Sequence, residues 1–269
     1  MSDFLRRVLI GALLVTLLMP LLPLLLWAFG SAWFFPDLLP PEWSLRAWRY
    51  VLTPQARVGQ ALINSILIGL LTTIFSLLVG LPAGRALALY DFRGKRLIEL
   101  LLLAPTIVPL LAVAMGIHIA FLRYGLADTL LGVVFVHLVP TTPYTVLILA
   151  ATFARYNVDF EAQARTLGAS AWQSLRFVMW PLVRGGVAVA ALFAFLISWS
   201  QYLLTLLIGG GRVMTLPVQL FAFATAGDHA LTAALALLLV IPALLTLFVT
   251  ARLLSGERDS AVSAVGHWG

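Results

Sequence analysis

Six long apolar runs separated by short polar segments dominate the chain, at approximately 8–29, 58–82, 100–122, 129–154, 185–208 and 230–251. The first follows Arg6 and Arg7 and stays uncharged for 22 residues. A secretory h-region is shorter, about 7–15 residues, so an uncleaved membrane helix is expected here. The fifth sits inside the uncharged stretch 185–211, between Arg184 and Arg212. About 20 apolar residues carry a helix across the roughly 30 Å hydrocarbon core of a bilayer. None of the runs alternates apolar and polar residues as a membrane strand does. Lipid offers the backbone no water, so each run must satisfy its own hydrogen bonds as a helix. The pattern predicts an all-α, polytopic membrane protein with six transmembrane helices in a single transmembrane domain over 1–269.

Composition agrees and closes off other classes. Of 269 residues, 62% are hydrophobic and 10% charged, with a mean hydropathy of +1.03. Soluble domains run near 45–50% apolar and about 25% charged. A soluble enzyme, a secreted disulfide scaffold and a disordered chain are thereby excluded. A formal charge of +6 would point to nucleic acid in a soluble protein, but its distribution gives another meaning. With the N-terminus in the cytoplasm, only Arg46, Arg49, Arg57, Arg123 and Arg212 of the 17 Lys and Arg residues lie outside. The positive-inside rule then puts both termini in the cytoplasm, with membrane lipid and not nucleic acid as the surrounding partner.

Little in the chain offers chemistry. There is no cysteine, which excludes thiolate catalysis and Cys-ligated metals. His118, His137, His229 and His267 lack a short ligand spacing, so neither a metal nor another cofactor is expected. No compact carboxylate pair or Ser/His pair suggests catalysis. The outer segment 30–57 is rich in Trp33, Phe34, Phe35, Pro36, Pro40, Pro41, Trp43, Trp48 and Tyr50, an interfacial elbow by composition. Gly80 and Gly84 form a small-xxx-small pair that permits close helix contact. Prolines 105, 109, 140, 143 and 242 fall within the spans and can kink them.

The segment 155–181, between spans four and five, is the longest cytoplasmic loop and reads as helical. Phe160, Ala164, Leu167, Ala171, Leu175 and Val178 recur at helical spacing as one stripe, with Asp159, Glu161, Arg165, Gln173 and Arg176 mostly off it. Gly168 can end one short helix in a left-handed turn, Ser170 can cap the next, and Pro181 permits a sharp entry into span five. The pattern fits two readings: an amphipathic helix lying on the membrane surface, or a helix–turn–helix knob presented to a soluble partner.

These residues resemble a known family. Leu167-Gly168-Ala169-Ser170, with Pro181 thirteen positions after the glycine, is similar to the "EAA" loop of membrane subunits of ABC importers. The usual form is E-A-A-x-x-x-G, nine residues, then I-x-L-P. Aligned on Gly168, the first three positions hold Ala162, Gln163 and Ala164, and Glu161 stands one residue early. Val178 and Trp180 replace the Ile and Leu, while Pro181 matches. Asp91-Phe92-Arg93-Gly94-Lys95 looks like the turn after span two in these subunits. Ser198-Trp199-Ser200-Gln201-Tyr202 and Thr215-Leu216-Pro217 occupy the places of its late motifs. The likeness is greatest to the group of spermidine/putrescine, ferric iron and thiamine permeases.

The resemblance implies a type I importer fold in the bacterial inner membrane. It implies one half of a translocation channel, completed by a second permease subunit in a homo- or heterodimer. ATP-binding cassette subunits would dock on Glu161, Ala164, Leu167, Gly168, Ala169, Ser170 and Pro181. A periplasmic or lipid-anchored binding protein would deliver substrate.

The chain has no G-x-x-x-x-G-K-[ST] loop, and Gly94-Lys95 lacks both the earlier glycine and the following hydroxyl. ATP hydrolysis is therefore expected in a partner subunit. The spans carry no Asp or Glu, which argues against free polyamine as the cargo, since a charge at mid-bilayer needs a partner. Asn64, Ser198, Ser200, Gln201 and Tyr202 are the candidate pathway residues, with Ser65, His118 and His137 as further polar positions in the spans. The alternative is a stand-alone six-helix carrier or channel. It would need its own coupling-ion site, usually an intramembrane acid.

Overall fold

Apolar runs with nothing to satisfy their backbone but themselves become helices, and helices make up most of the described residues. The computed structural model describes residues 3–31, 33, 37 and 39–266. Phe34, Phe35, Pro36 and His267, singled out above, lie outside the described residues. In chain order the helices are α1 (Asp3–Leu18), α2 (Leu21–Phe29), α3 (Arg46–Val51), α4 (Val58–Leu89), α5 (Lys95–Ile107), α6 (Leu110–Arg123), α7 (Leu130–Phe153) and α8 (Asp159–Thr166). They continue as α9 (Ala171–Trp199), which contains a π-helical turn at Ser174–Met179, then α10 (Leu203–Gly209), α11 (Leu216–Thr225) and α12 (His229–Gly266). A two-residue hairpin pairs β1 (Gly30–Ser31) with β2 (Glu42–Trp43), antiparallel, Gly30 opposite Trp43.

Four of these are long and apolar enough to cross a membrane: α4, α7, α9 and the His229–Leu254 part of α12. A fifth crossing results if α5 and α6 together form one span. The chain bends there by 99° between Pro105 and Leu110. Proline supplies the cause: Pro109 has no N–H for a continuing helix and pushes Val108 into extended backbone (ψ 135°). The apolar run 100–122 is thus built as two helices, with the bend at the prolines expected to kink it. The first apolar run is likewise divided, at Met19–Pro20, into helices of 16 and 9 residues. The fifth run is broken at Ser200–Tyr202 and begins far earlier than expected, at Ala171.

The chain forms two compact units. The first comprises Met1–Ile63 and Met214–Pro242. Its small core holds Ala28, Ala47, Val51, Ala56, Leu216, Val218 and Leu231, and Gln219 Nε2 donates to the Ala56 carbonyl at 2.8 Å. The second comprises Asn64–Val213 and Ala243–Gly269. One of its cores gathers Ile68 of α4, Ala114 of α6, Val133, Val134 and Val136 of α7, and Leu204 and Ile208 of α10.

Close helix approach in the second unit follows from small residues. A Cβ on Gly84 would lie 2.7 Å from Leu149 Cβ and 2.9 Å from the Ala150 backbone nitrogen. One on Gly80 would lie 2.6 Å from Thr145 Cγ2. The pair therefore serves helix packing, bringing α4 against α7 at backbone distance.

Candidate functional site

Two polar constructions stand out in the second unit. The first anchors the segment 155–181. Asp159 opens α8 with its backbone N–H bonded to the Asn157 side chain at 2.9 Å. The helix ends after Thr166, and the chain reverses at Gly168, whose φ is +90°. An L side chain is strained there, and glycine is not. Ser170 then opens α9 with a reciprocal cap: its Oγ accepts from the Gln173 N–H at 3.3 Å, and its own N–H donates to Gln173 Oε1 at 2.7 Å.

The face of this knob that turns inward is polar. Glu161 is 6% exposed and accepts from Arg85 Nη2 on α4 at 3.0 Å and from Tyr156 Oη at 2.8 Å. The same guanidinium reaches Met179 Sδ through Nη1 at 2.9 Å. Phe153, Tyr156, Met179 and Val183 close an apolar cluster beneath the pair. Burial, and then the Glu161 carboxylate, push the Tyr156 hydroxyl above the ordinary tyrosine range, so it stays protonated and donates. A raised folded-state value means this bond contributes fully below about pH 10 and is lost as pH rises through that folded value.

The apolar stripe stays partly exposed. The positive φ at Gly168 interrupts the helical period, and Phe160, Leu167 and Leu175 stay exposed, Leu167 at 88%. Trp172, at 66%, is exposed just beyond the turn, and Phe177, at 68%, is exposed farther along α9. Single exposed apolar side chains are ordinary on a protein surface; here Leu167 and Trp172 stand exposed on the two sides of the Gly168 turn. Of the candidate docking residues, Leu167, Gly168 and Ser170 lie exposed at the tip, while Ala164 and Ala169 are half-buried. Pro181 lies at the first turn after the π-helical segment, and Glu161 belongs to the anchor.

The second construction surrounds the break in the fifth apolar run. The helical ladder of α9 stops at Trp199, and α10 starts only at Leu203. His137, fully buried on α7, spans the break: Nδ1 meets Ser198 Oγ at 2.8 Å and Nε2 meets Thr205 Oγ1 at 3.0 Å. Thr205 Oγ1 also donates to the Gln201 carbonyl at 3.0 Å. Buried hydroxyls continue along α4 and α7, where Ser76 and Thr141 are 2.9 Å apart. Ser198, Ser200, Gln201 and Tyr202 are thus brought together at one interruption. Asn64 sits one turn before Ile68, in the core that also receives Leu204 of α10. His118 Nδ1 is buried without a hydrogen-bond partner among the described residues. No group of three His, Cys, Asp or Glu among those residues could hold a metal ion.

Sequence reasoning missed Arg85 and Tyr156, and left His137 as one polar position among several. The available signal was the lone Arg85 just past Pro82, in a helix that continues to Leu89.

Comparison with known proteins decides the family. The model of the "Binding-protein-dependent transport system inner membrane component" matches residues 76–256. The chain belongs to that family. A permease protein of the diacetylchitobiose uptake system of Streptomyces coelicolor is 28% identical over 252 residues, 90% of this chain and 83% of the relative. A putative 2-aminoethylphosphonate transport permease of Salmonella typhimurium is 29% identical over 242 residues, 89% of this chain and 90% of the relative. Among solved structures, a bacterial ABC transporter involved in importing the acidic polysaccharide alginate superposes with a TM-score of 0.71 at 19% identity. That match covers 93% of this chain and 95% of the other. The protein is therefore a multi-pass transport permease of an ABC import system in the inner membrane. The matched range takes in both constructions described above.

Proposed function

We propose that this permease forms half of a translocation channel and receives its driving force at the knob 155–181. The observation that carries this reading is the division of labour within the knob. Its inward face is fixed to α4 and to the turn after α7 by the Arg85–Glu161–Tyr156 group, and its tip offers Leu167 and Trp172 to a partner. A rigid anchor beneath an open apolar tip suits a lever: motion at the tip reaches the spans with little loss in the joint. ATP-binding cassette subunits are the partner, since the chain has no phosphate loop of its own. A second permease subunit completes the channel, and a periplasmic or lipid-anchored binding protein brings the substrate.

The reading includes six crossings, with α1 and α2 as the first, and both termini in the cytoplasm, supported by the asymmetry of Lys and Arg. The break at 200–202 supports a substrate pathway through Asn64, Ser198, Ser200, Gln201 and Tyr202, because interrupted helices at membrane depth often line transport sites.

Affinity purification from native membranes tests the proposal. The expected result is stoichiometric recovery of an ATPase subunit with the wild-type chain, and its loss with Leu167→Asp while membrane insertion is unchanged. Recovery of the chain without any ATPase would favour a stand-alone carrier.

A further inference from the structure

A second group of aromatic and charged side chains lies within the first unit. A cavity of about 340 Å³ is lined by Trp27, Trp33, Arg46, Asp228 and His229, with Gly30, Ser31 and Gly227 giving room. This volume lies at the small end of the range for ligand sites, about 300–1,000 Å³. Trp27 stacks on the His229 ring, centroids 5.3 Å apart and planes at 21°. It meets Trp33 edge-on at 5.6 Å and 62°. Arg46 Nη2 donates to both Asp228 oxygens at 3.0 Å. Asp228 is held in turn by the Leu231 N–H, which donates to its Oδ1 at 3.0 Å. The pair is nevertheless accessible, with side-chain exposures of 59% for Arg46 and 26% for Asp228.

We infer that this cavity is a binding site for a neutral saccharide. The chemistry of the lining selects that class. An aromatic face is negative and attracts the positively polarised C–H face of a pyranose ring, as it attracts the edge of another ring. Hydroxyl groups both donate and accept, so they bond to either member of the Arg46–Asp228 pair. A guanidinium has five N–H donors, of which those not facing Asp228 are available, and the carboxylate accepts from several directions. The ion pair disfavours ligands that carry charge of one sign alone: a simple phosphonate would meet the Asp228 carboxylate, and a simple amine would meet Arg46. The inference rests on the transport reading above and names a substrate class for it.

The site is tested on the whole chain in lipid nanodiscs, labelled with 5-fluorotryptophan and observed by ¹⁹F NMR. Loss of one resonance in Trp27→Phe and of another in Trp33→Phe assigns the two rings among the 8 tryptophans. Diacetylchitobiose or maltose is expected to shift both resonances saturably, and methylphosphonate to leave them unmoved. Asp228→Asn, which keeps the shape and removes the charge, is expected to weaken saccharide binding about tenfold, as loss of a charged hydrogen-bond partner does. No saturable shift with either saccharide at tens-of-millimolar concentration, or a shift with the phosphonate, overturns the proposal. ATPase recovery at the knob is measured separately, so failure of this site and failure of the transport reading are distinguishable.

Discussion

Glu161→Ala is expected to be among the most damaging single substitutions in the second unit. It leaves the Arg85 guanidinium, 26% exposed, facing Met179 and an apolar cluster without its carboxylate, and it removes the acceptor of Tyr156. Breaking a buried ion pair from one side costs about 3–5 kcal/mol. Part of Arg85 still reaches solvent, so the lower end of that range applies. Thermal unfolding in detergent should show the loss directly. The pair itself is a smaller matter. Arg85→Met combined with Glu161→Leu exchanges charge for apolar volume, and the double variant should cost less than the sum of the singles. A coupling of about 0.5–3 kcal/mol is the usual size for residues in one network. Transport in proteoliposomes should fall in the single variants through a loosened knob. Additive effects in the cycle, or a silent Glu161→Ala, would mean that the anchor does not hold α8.

Gly168→Val is expected to abolish ATPase association, more than tenfold by co-purification, with insertion and expression intact. The reason is backbone conformation and not space. At φ +90° an added Cβ meets nothing within 4 Å, yet an L residue held in the left-handed region costs about 1–2 kcal/mol. A β-branched residue is among the worst suited to that region. The turn relaxes, and Leu167 and the Ser170 cap move off their mutual register. Gly168→Asn is the matched control, because asparagine tolerates the left-handed region better than most residues. It should retain much of the association. Equal loss in both variants would point to the glycine's surface and not to its turn.

Much of the architecture could be read from hydropathy because lipid makes a simple demand: an uncharged run must be a helix. The sites of helix interruption could not. Pro109 breaks one run and Pro20 lies at the break in another, whereas Pro82, Pro140, Pro143 and Pro242 lie inside unbroken helices. The sequence period does not state which prolines have neighbours able to satisfy the freed carbonyls. The stripe on the knob was legible as a pattern but not in its direction. Helical periodicity shows which residues share a face, and burial of Glu161 against Arg85, 76 positions away, shows which face turns inward. An acid one residue early in a motif reads as degeneracy until its partner is known. His137 shows the same limit, since its partners Ser198 and Thr205 lie on the two sides of a break invisible in composition.

The central claim is that the tip of the knob meets the ATPase. The chain has no cysteine, so single cysteines report unambiguously. Leu167→Cys is placed at the exposed tip, and Trp43→Cys, 64% exposed on β2, serves as the control predicted to lie on the opposite side of the membrane. Short-armed crosslinking of the assembled complex should join Leu167→Cys to the ATPase subunit and leave Trp43→Cys uncrosslinked to it. An ATPase that co-purifies but crosslinks to Trp43→Cys, or never to Leu167→Cys, would contradict the account.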